Sequence, residues 1–218
     1  MNRHIRPLNS AQQSYWENYY KSNVDQLPVV APSQFATFTL NELQLRGIHN
    51  ICEFGSGTGR DAIFFSKYGL SVIATDRSKN AISLITPKLG NASSRAFCHD
   101  ALNPFDFLDQ VSARPRALYA RFFLHSLNDS ELSIFLSNCT SSMRPGDLLF
   151  VEYRTDIDKG RPKVTPDHFR AYRSPSEVSC MAKGHELDLI YEKAGDGFAK
   201  WKNDDAHVAR QIFDKVKI

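Results

Sequence analysis

The chain is expected to form one α/β domain on a doubly wound, mostly parallel sheet, and three features of the sequence lead there. From Asn50 onward, short apolar runs of strand length alternate with runs of helical period, the pattern of a parallel sheet wrapped by helices. The first run ends at Phe54 and passes at once into a turn with glycine at 55, 57 and 59. The second ends in a carboxylate, Asp76, at the rim where open α/β sheets hold their ligands.

Composition sets the outer limits. At 218 residues and 42% hydrophobic content the chain suffices for one full core, and a second independent domain is not expected. No apolar run reaches the ~20 residues of a membrane span, and Met1 to Ser14 is polar, without the apolar stretch of a secretory leader, so a cytoplasmic location is the default expectation. Cys52, Cys98, Cys139 and Cys180 are widely separated and are expected to be reduced core residues, not a disulfide framework or a zinc site; no metal-ligand spacing is apparent. A net charge of +3 is too small to argue for nucleic-acid binding.

Residues 9 to 21 have the spacing of an amphipathic helix, with Tyr15 and Tyr19 one turn apart and Trp16 and Tyr20 likewise. Its aromatics either cover the sheet edge or act as a lid that excludes water. After a loop containing Pro28 and Pro32, Ser33 is the expected N-cap of a second helix carrying Phe35, Phe38 and Leu43 and ending near Gly47. Strand one covers 50 to 54, and the helix over 60 to 68 is closed by Gly69. Strand two, Ser71 to Thr75, delivers Asp76; Ser78 then caps a helix to about Ile85, before Pro87. Strand three, about Ser94 to Cys98, leads into His99-Asp100-Ala101.

Strand four, Arg116 to Phe122, continues as an apolar run to Leu127, broken by Arg121 and His125. Asn128 with Glu131 forms a capping box for a helix whose inner face is Leu132, Phe135, Leu136, Cys139 and Met143. Arg144 to Asp147 turns the chain into strand five, Leu148 to Tyr153. The stretch 154–173 breaks the alternation, with Lys159, Arg161, Lys163, His168, Arg170 and Arg173 among Gly160, Pro162 and Pro166. Loops of this length are seldom mere connections; this one is either a substrate-binding cover over the rim or a solvated basic loop. Ser174-Pro-Ser-Glu177 opens a helix that stops at Gly184, and strands of about Glu186 to Lys193 and His207 to Phe213 complete the sheet.

The glycine spacing separates two cofactor classes. A dinucleotide fingerprint, G-x-G-x-x-G, needs glycine at position 60, which is Arg60, and Glu53 ahead of the turn would repel a pyrophosphate. The pattern present, Glu53-x-Gly55-x-Gly57-x-Gly59, suits a cationic, phosphate-free ligand. In these residues the chain resembles the class I S-adenosylmethionine (SAM) methyltransferases, whose first motif is E/D-x-G-x-G-x-G; a bare structural turn is the competing reading. The resemblance is strongest over 50 to 153. It implies a Rossmann-like sheet of seven strands in the order 3-2-1-4-5-7-6 with strand seven antiparallel, inside a single domain, 1–218, with a helical cap or lid at 1–48 and an inserted loop at 154–173.

The same resemblance implies roles. Glu53, Gly55, Ser56, Gly57, Gly59 and Arg60 would hold the amino-acid end of SAM, Asp76 and Arg77 the ribose, and Asp100 and Ala101 the adenine, with a loop cap as the alternative for Asp100. Arg121 would pair with the SAM carboxylate or with Glu53 and Glu152. Arg121 and His125 are the catalytic candidates: His125 would act as base or orient the nucleophile, or else packs against the following helix. Trp16, Tyr20, Tyr153, Arg154, His168, Arg170 and Arg173 are expected around an acceptor, which the arginines would suit if it is anionic. The aromatic first helix, Pro32-Ser-x-Phe-Ala36 and Arg121-Phe-Phe-x-His125 resemble a bacterial branch found with polysaccharide- and sugar-modifying enzymes. O-methylation of a small anionic or sugar-linked acceptor follows as the leading expectation. Methylation of nitrogen, sulfur or a metalloid, a SAM-binding module without turnover, a dehydrogenase and RNA methylation remain as alternatives.

Overall fold

The structure, a computed structural model, describes residues 10–22, 31–163, 168–201 and 203–216. Pro28 and Pro166, both expected in loops, lie outside the described residues, as do residues 1–9. Five parallel strands form the body of the sheet: β1 (Asn50–Phe54), β2 (Ser71–Asp76), β3 (Arg95–Cys98), β4 (Arg116–Arg121) and β5 (Leu148–Arg154). β6 (Leu187–Gly195) is an edge strand, and β9 (Val208–Lys215) inserts antiparallel between it and β5. The order β3-β2-β1-β4-β5-β9-β6 is the expected one, with β9 as the seventh strand. Between β6 and β9 an unforeseen hairpin pairs β7 (Lys200–Trp201) with β8 (Asp204–Asp205).

Strand geometry sends alternate residues to opposite faces, and here both faces are covered. Cys52, Phe54, Leu118, Ala120, Leu149 and Val151 point to one core, closed by Leu132, Phe135 and Leu136 of α6 (Asp129–Ser142) and Val178 and Ala182 of α7 (Pro175–Lys183). Their neighbours Ile51, Ala117, Tyr119 and Phe150 point to the other. That core is closed by Phe35, Leu40 and Leu43 of α2 (Gln34–Leu45), Phe65 of α3 (Arg60–Lys67) and Ile85 of α4 (Lys79–Ile85). The caps fall where expected. Ser33 and Ser78 accept from Ala36 and Ala81 N–H groups, and both capping boxes, Asn128/Glu131 and Ser174/Glu177, are complete.

A short helix, α5 (Leu108–Val111), was not anticipated. The cysteine expectation also needs correction: Cys52 and Cys139 are buried, but Cys98 and Cys180 are exposed. Cys98 lies on β3, which has a neighbour on one side only, and Cys180 stands on the outer side of α7. Among the described residues, no helix is long and apolar enough to cross a membrane.

Two peripheral segments position the site. α1 (Ser10–Ser22) docks on the start of α4 through Glu17, whose carboxylate accepts from Ser78 Oγ (2.8 Å), Lys79 N (3.2 Å) and Asn80 Nδ2 (2.9 Å). The 154–173 stretch is tied down near both ends, by Arg154 to Asp158 and Asp204 and by Ala171 N–H to the His125 carbonyl (2.8 Å).

Candidate active site

A cavity of about 220 Å³ opens at the carboxyl ends of β1 to β4, under α1. The glycine turn forms its floor. Gly55 and Gly57 have φ of +66° and +54°, where a side chain strains the backbone, and a Cβ at either would come within 2.7 Å of the Phe123 ring or the Tyr20 hydroxyl. Gly59 packs on Ile85 instead, and Ser56 closes the turn by donating through Oγ to Thr75 O (2.8 Å).

Asp76, on the cavity wall, accepts from Gly57 N–H through Oδ2 (2.9 Å) and from Ser78 N–H through Oδ1 (2.8 Å). Each carboxylate oxygen has a second acceptor direction for a ligand hydroxyl. Burial raises its pKa, and Glu17 adds to the effect. Arg77 and Asp100 form an ion pair (3.3 Å) on the same wall, beside Ala101. Asp100 also accepts from Leu102 N–H (3.0 Å), so it is a loop cap and a wall residue at once.

Beneath the turn lies a buried charge cluster. Glu53 is 4% exposed, and its Oε2 has no hydrogen-bond partner among the described residues. Burial and then Asp61 push its pKa well above the carboxylate range, opposed by Arg121 and the Ala62 N–H. Arg121 lines the cavity and donates to Glu152 (2.9 Å), which Arg210 holds from the other side (2.8 Å). Thus Glu152, not Glu53, is the partner of Arg121.

The next residue, Phe122, has φ of +53°, a costly conformation for a bulky side chain. Its ring lines the cavity, covers the Arg121 guanidinium at 4.3 Å and lies 5.5 Å from the His125 ring. His125 is 5% exposed and stands behind Phe122, not among the cavity-lining residues. Burial first, then Arg154, Arg170, His168 and Arg121, holds its pKa well below the ordinary histidine range, so the ring is neutral. Its Nδ1 has no partner among the described residues.

The expected acceptor residues divide. Trp16 and Tyr20 line the cavity, and His168 packs 5.1 Å from Trp16 and 5.3 Å from Tyr15. Arg170 lies near enough to act on both Tyr15 and His125. Four expectations are displaced. Tyr153 faces the core, donating to Gln211 Oε1 (2.9 Å). Arg154 is buried between Asp158 and Asp204, and Arg173 braces the turn before α6, donating to Leu124 O, Leu127 O and Asp129. Arg60 points away from the cavity to Ala31 O (2.7 Å) and Pro32 O (3.1 Å), under the Trp201 ring. In each case a carboxylate, amide or carbonyl distant in sequence takes the polar group.

The sequence reading missed Glu17, Ser78, His99, Phe122, Phe123, Ser126 and Leu127, all on the cavity wall. For Glu17 a signal existed, since it lies on the same helical face as Trp16 and Tyr20.

The model of the family described as "Methyltransferase domain" matches residues 15–196. A SAM-dependent methyltransferase from Anabaena variabilis superposes with a TM-score of 0.70 at 14% identity, over 95% of this chain and 96% of that one. A methyltransferase from Streptomyces caelestis gives 0.69 at 14%, over 90% and 96%. The 1,6-didemethyltoxoflavin-N1-methyltransferase of Burkholderia thailandensis, with that acceptor and S-adenosylhomocysteine (SAH) bound, gives 0.69 at 13%, over 100% and 94%. No curated protein matches by sequence.

Proposed function

The chain belongs to the methyltransferase domain family, and from that premise we propose that it transfers the methyl group of SAM to an oxygen of a small anionic acceptor. The cavity suits SAM. The unpartnered Glu53 Oε2 lies beneath the glycine turn, where an ammonium would satisfy it; Asp76 has acceptor capacity for ribose hydroxyls, and His99, Asp100 and Ala101 form the place for adenine. When bound, SAM supplies a methyl group on a sulfonium: an acceptor lone pair forms the new bond to carbon while the C–S pair stays on sulfur, giving SAH.

The oxygen reading is carried by His125. Its unpartnered Nδ1 can accept a hydrogen bond from an acceptor hydroxyl and orient it, while the burial and the surrounding Arg154, Arg170, His168 and Arg121 that keep the ring neutral make it a weak base. The sugar-linked acceptor implied by Pro32 to Ala36 draws no support from the comparisons. One observation favours a second reading, methylation of nitrogen, sulfur or a metalloid. His125 stands one ring behind the cavity, and a nucleophile with a ready lone pair needs no base. The nitrogen acceptor of the Burkholderia relative is in keeping with it.

Calorimetric titration with SAM, SAH and NADH is the test, beside Asp76→Ala. SAM and SAH are expected to bind wild type and to lose at least tenfold affinity in the variant. Binding of NADH alone would return the glycine turn to an unknown purpose.

A further inference from the structure

We propose that Tyr20 selects the cofactor: its hydroxyl, together with the terminal N–H groups of Arg121, donates to the carboxylate of SAM, so that the cofactor fastens α1 over its own cavity. The proposal deepens the cofactor reading above and rests on it.

The phenol stands where a phenylalanine would serve better if packing were its whole role. Tyr20 is 9% exposed and lines the cavity, its ring fixed by Trp16 (5.9 Å, 23° between planes) and Tyr19 (5.5 Å, 82°). Its Oη has no hydrogen-bond partner among the described residues and rests on the bare backbone of Gly57, where a Cβ would come within 2.7 Å of it. A hydroxyl withdrawn from bulk water and left unpaired is destabilising. One aimed at a ligand-binding turn is satisfied when the ligand accepts from it. Burial first and Asp76 second raise its pKa, so the group keeps its proton and acts as a donor.

Arg121 supplies the charge. β1 and β4 run parallel with Glu53 opposite Tyr119, and carrying that register two residues on sets Arg121 beside Gly55, at the start of the turn that Tyr20 overhangs. Its Nε donates to Glu152, its one hydrogen bond among the described residues, and Glu152 also holds Arg210, so one carboxylate is divided between two guanidiniums. The terminal nitrogens of Arg121 are left open to the cavity. The other acids near the turn have donors of their own: Asp61 accepts from Ser33 and Tyr119, Asp76 from Gly57 and Ser78, and Glu17 from the start of α4. A neutral donor above the turn and a charged fork beside it form an anion site, and the anion that SAM carries is its carboxylate. Glu17 and Tyr20 are three residues apart on one face of α1, so the helix gains a second anchor that exists only with cofactor bound.

SAH and its decarboxylated analogue, 5′-(3-aminopropylthio)-5′-deoxyadenosine, are to be titrated calorimetrically into the full chain; the analogue keeps the adenine, ribose, sulfur and ammonium and lacks only the carboxylate. Wild type is expected to favour SAH roughly a hundredfold, as two donors to a charged group imply. Tyr20→Phe should weaken SAH roughly tenfold and leave the analogue within about twofold. Arg121→Gln, which leaves Glu152 to Arg210, should do the same. Arg161→Ala, at a surface pair with Asp196, should change neither. Hydrogen exchange over residues 10–22 should slow with SAH at saturation and not with the analogue at saturation. Equal weakening of both ligands in Tyr20→Phe, an unchanged SAH affinity there, or equal protection of 10–22 by both ligands overturns the proposal and leaves the cofactor cavity standing. Failure of wild type to bind SAH overturns the functional reading beneath it.

Discussion

Glu53 and His125 are both pressed toward their neutral forms, and the sign of the resulting pH dependence differs between them. The raised pKa of Glu53 means that the folded protein holds its proton more tightly than the unfolded chain does, so its charge destabilises the fold above the unfolded value of about 4.3. Glu53→Gln should therefore raise the melting temperature of the ligand-free protein at pH 8, with the gain shrinking toward pH 5 as the wild-type carboxyl protonates. The same variant should weaken SAM at least tenfold in calorimetry. The depressed pKa of His125 works the other way: below the unfolded value of about 6.5 the unfolded chain takes up a proton that the folded chain refuses. Relative to His125→Gln, wild type should lose up to about 1.4 kcal/mol per pH unit between pH 6.5 and 5.5, read from urea titrations at each pH. Parallel pH curves would mean that His125 is protonated in the fold. Both residues were legible as candidates because each breaks an apolar run, but their protonation states depend on burial and on arginines far along the chain.

At the scale of elements, α1 is held over the cavity chiefly by one carboxylate. Glu17 gathers three donors at the start of α4, while Tyr20 rests on Gly57. Glu17→Ala should remove about 1–2 kcal/mol of docking, which is roughly a tenfold shift toward the undocked helix. Hydrogen exchange should then quicken over 10–22 and stay unchanged in β1 and β4; unchanged protection of 10–22 would show that the aromatic contacts alone hold the helix. The helices and their caps were readable because Ser33, Asn128 and Ser174 act within three or four residues of themselves. Arg154 and Arg173 were readable only as basic residues. Their partners Asp204 and Asp129 lie 50 and 44 positions away, so no local pattern could distinguish a buried strut from an anion receptor. The β7–β8 hairpin escaped for a related reason, since two-residue strands carry too little periodicity to detect.

At the scale of the molecule, strand alternation exposed the parallel half of the sheet, while the antiparallel end depended on the family resemblance. No local signal says that the last strand enters between β5 and β6. That insertion couples the chain end to its middle: β9 pairs along β5 from Leu148/Asp214 to Arg154/Val208, and its Arg210 secures Glu152 beneath the cavity. The start of the described body is joined as firmly, through Ser33 to Asp61 and Asp61 to Tyr119. With both ends tied to the central strands, we propose that the described residues from 31 onward unfold as one unit. Trp16→Phe leaves Trp201 as the sole tryptophan, on the β7–β8 hairpin beside Arg60. Its fluorescence in urea should change at the same midpoint as far-UV circular dichroism, and Arg210→Met should lower both midpoints together by leaving Glu152 with a single partner. An earlier fluorescence transition would mean that the hairpin and the β6–β9 edge form a separate, weaker unit, and that the cavity floor survives their loss.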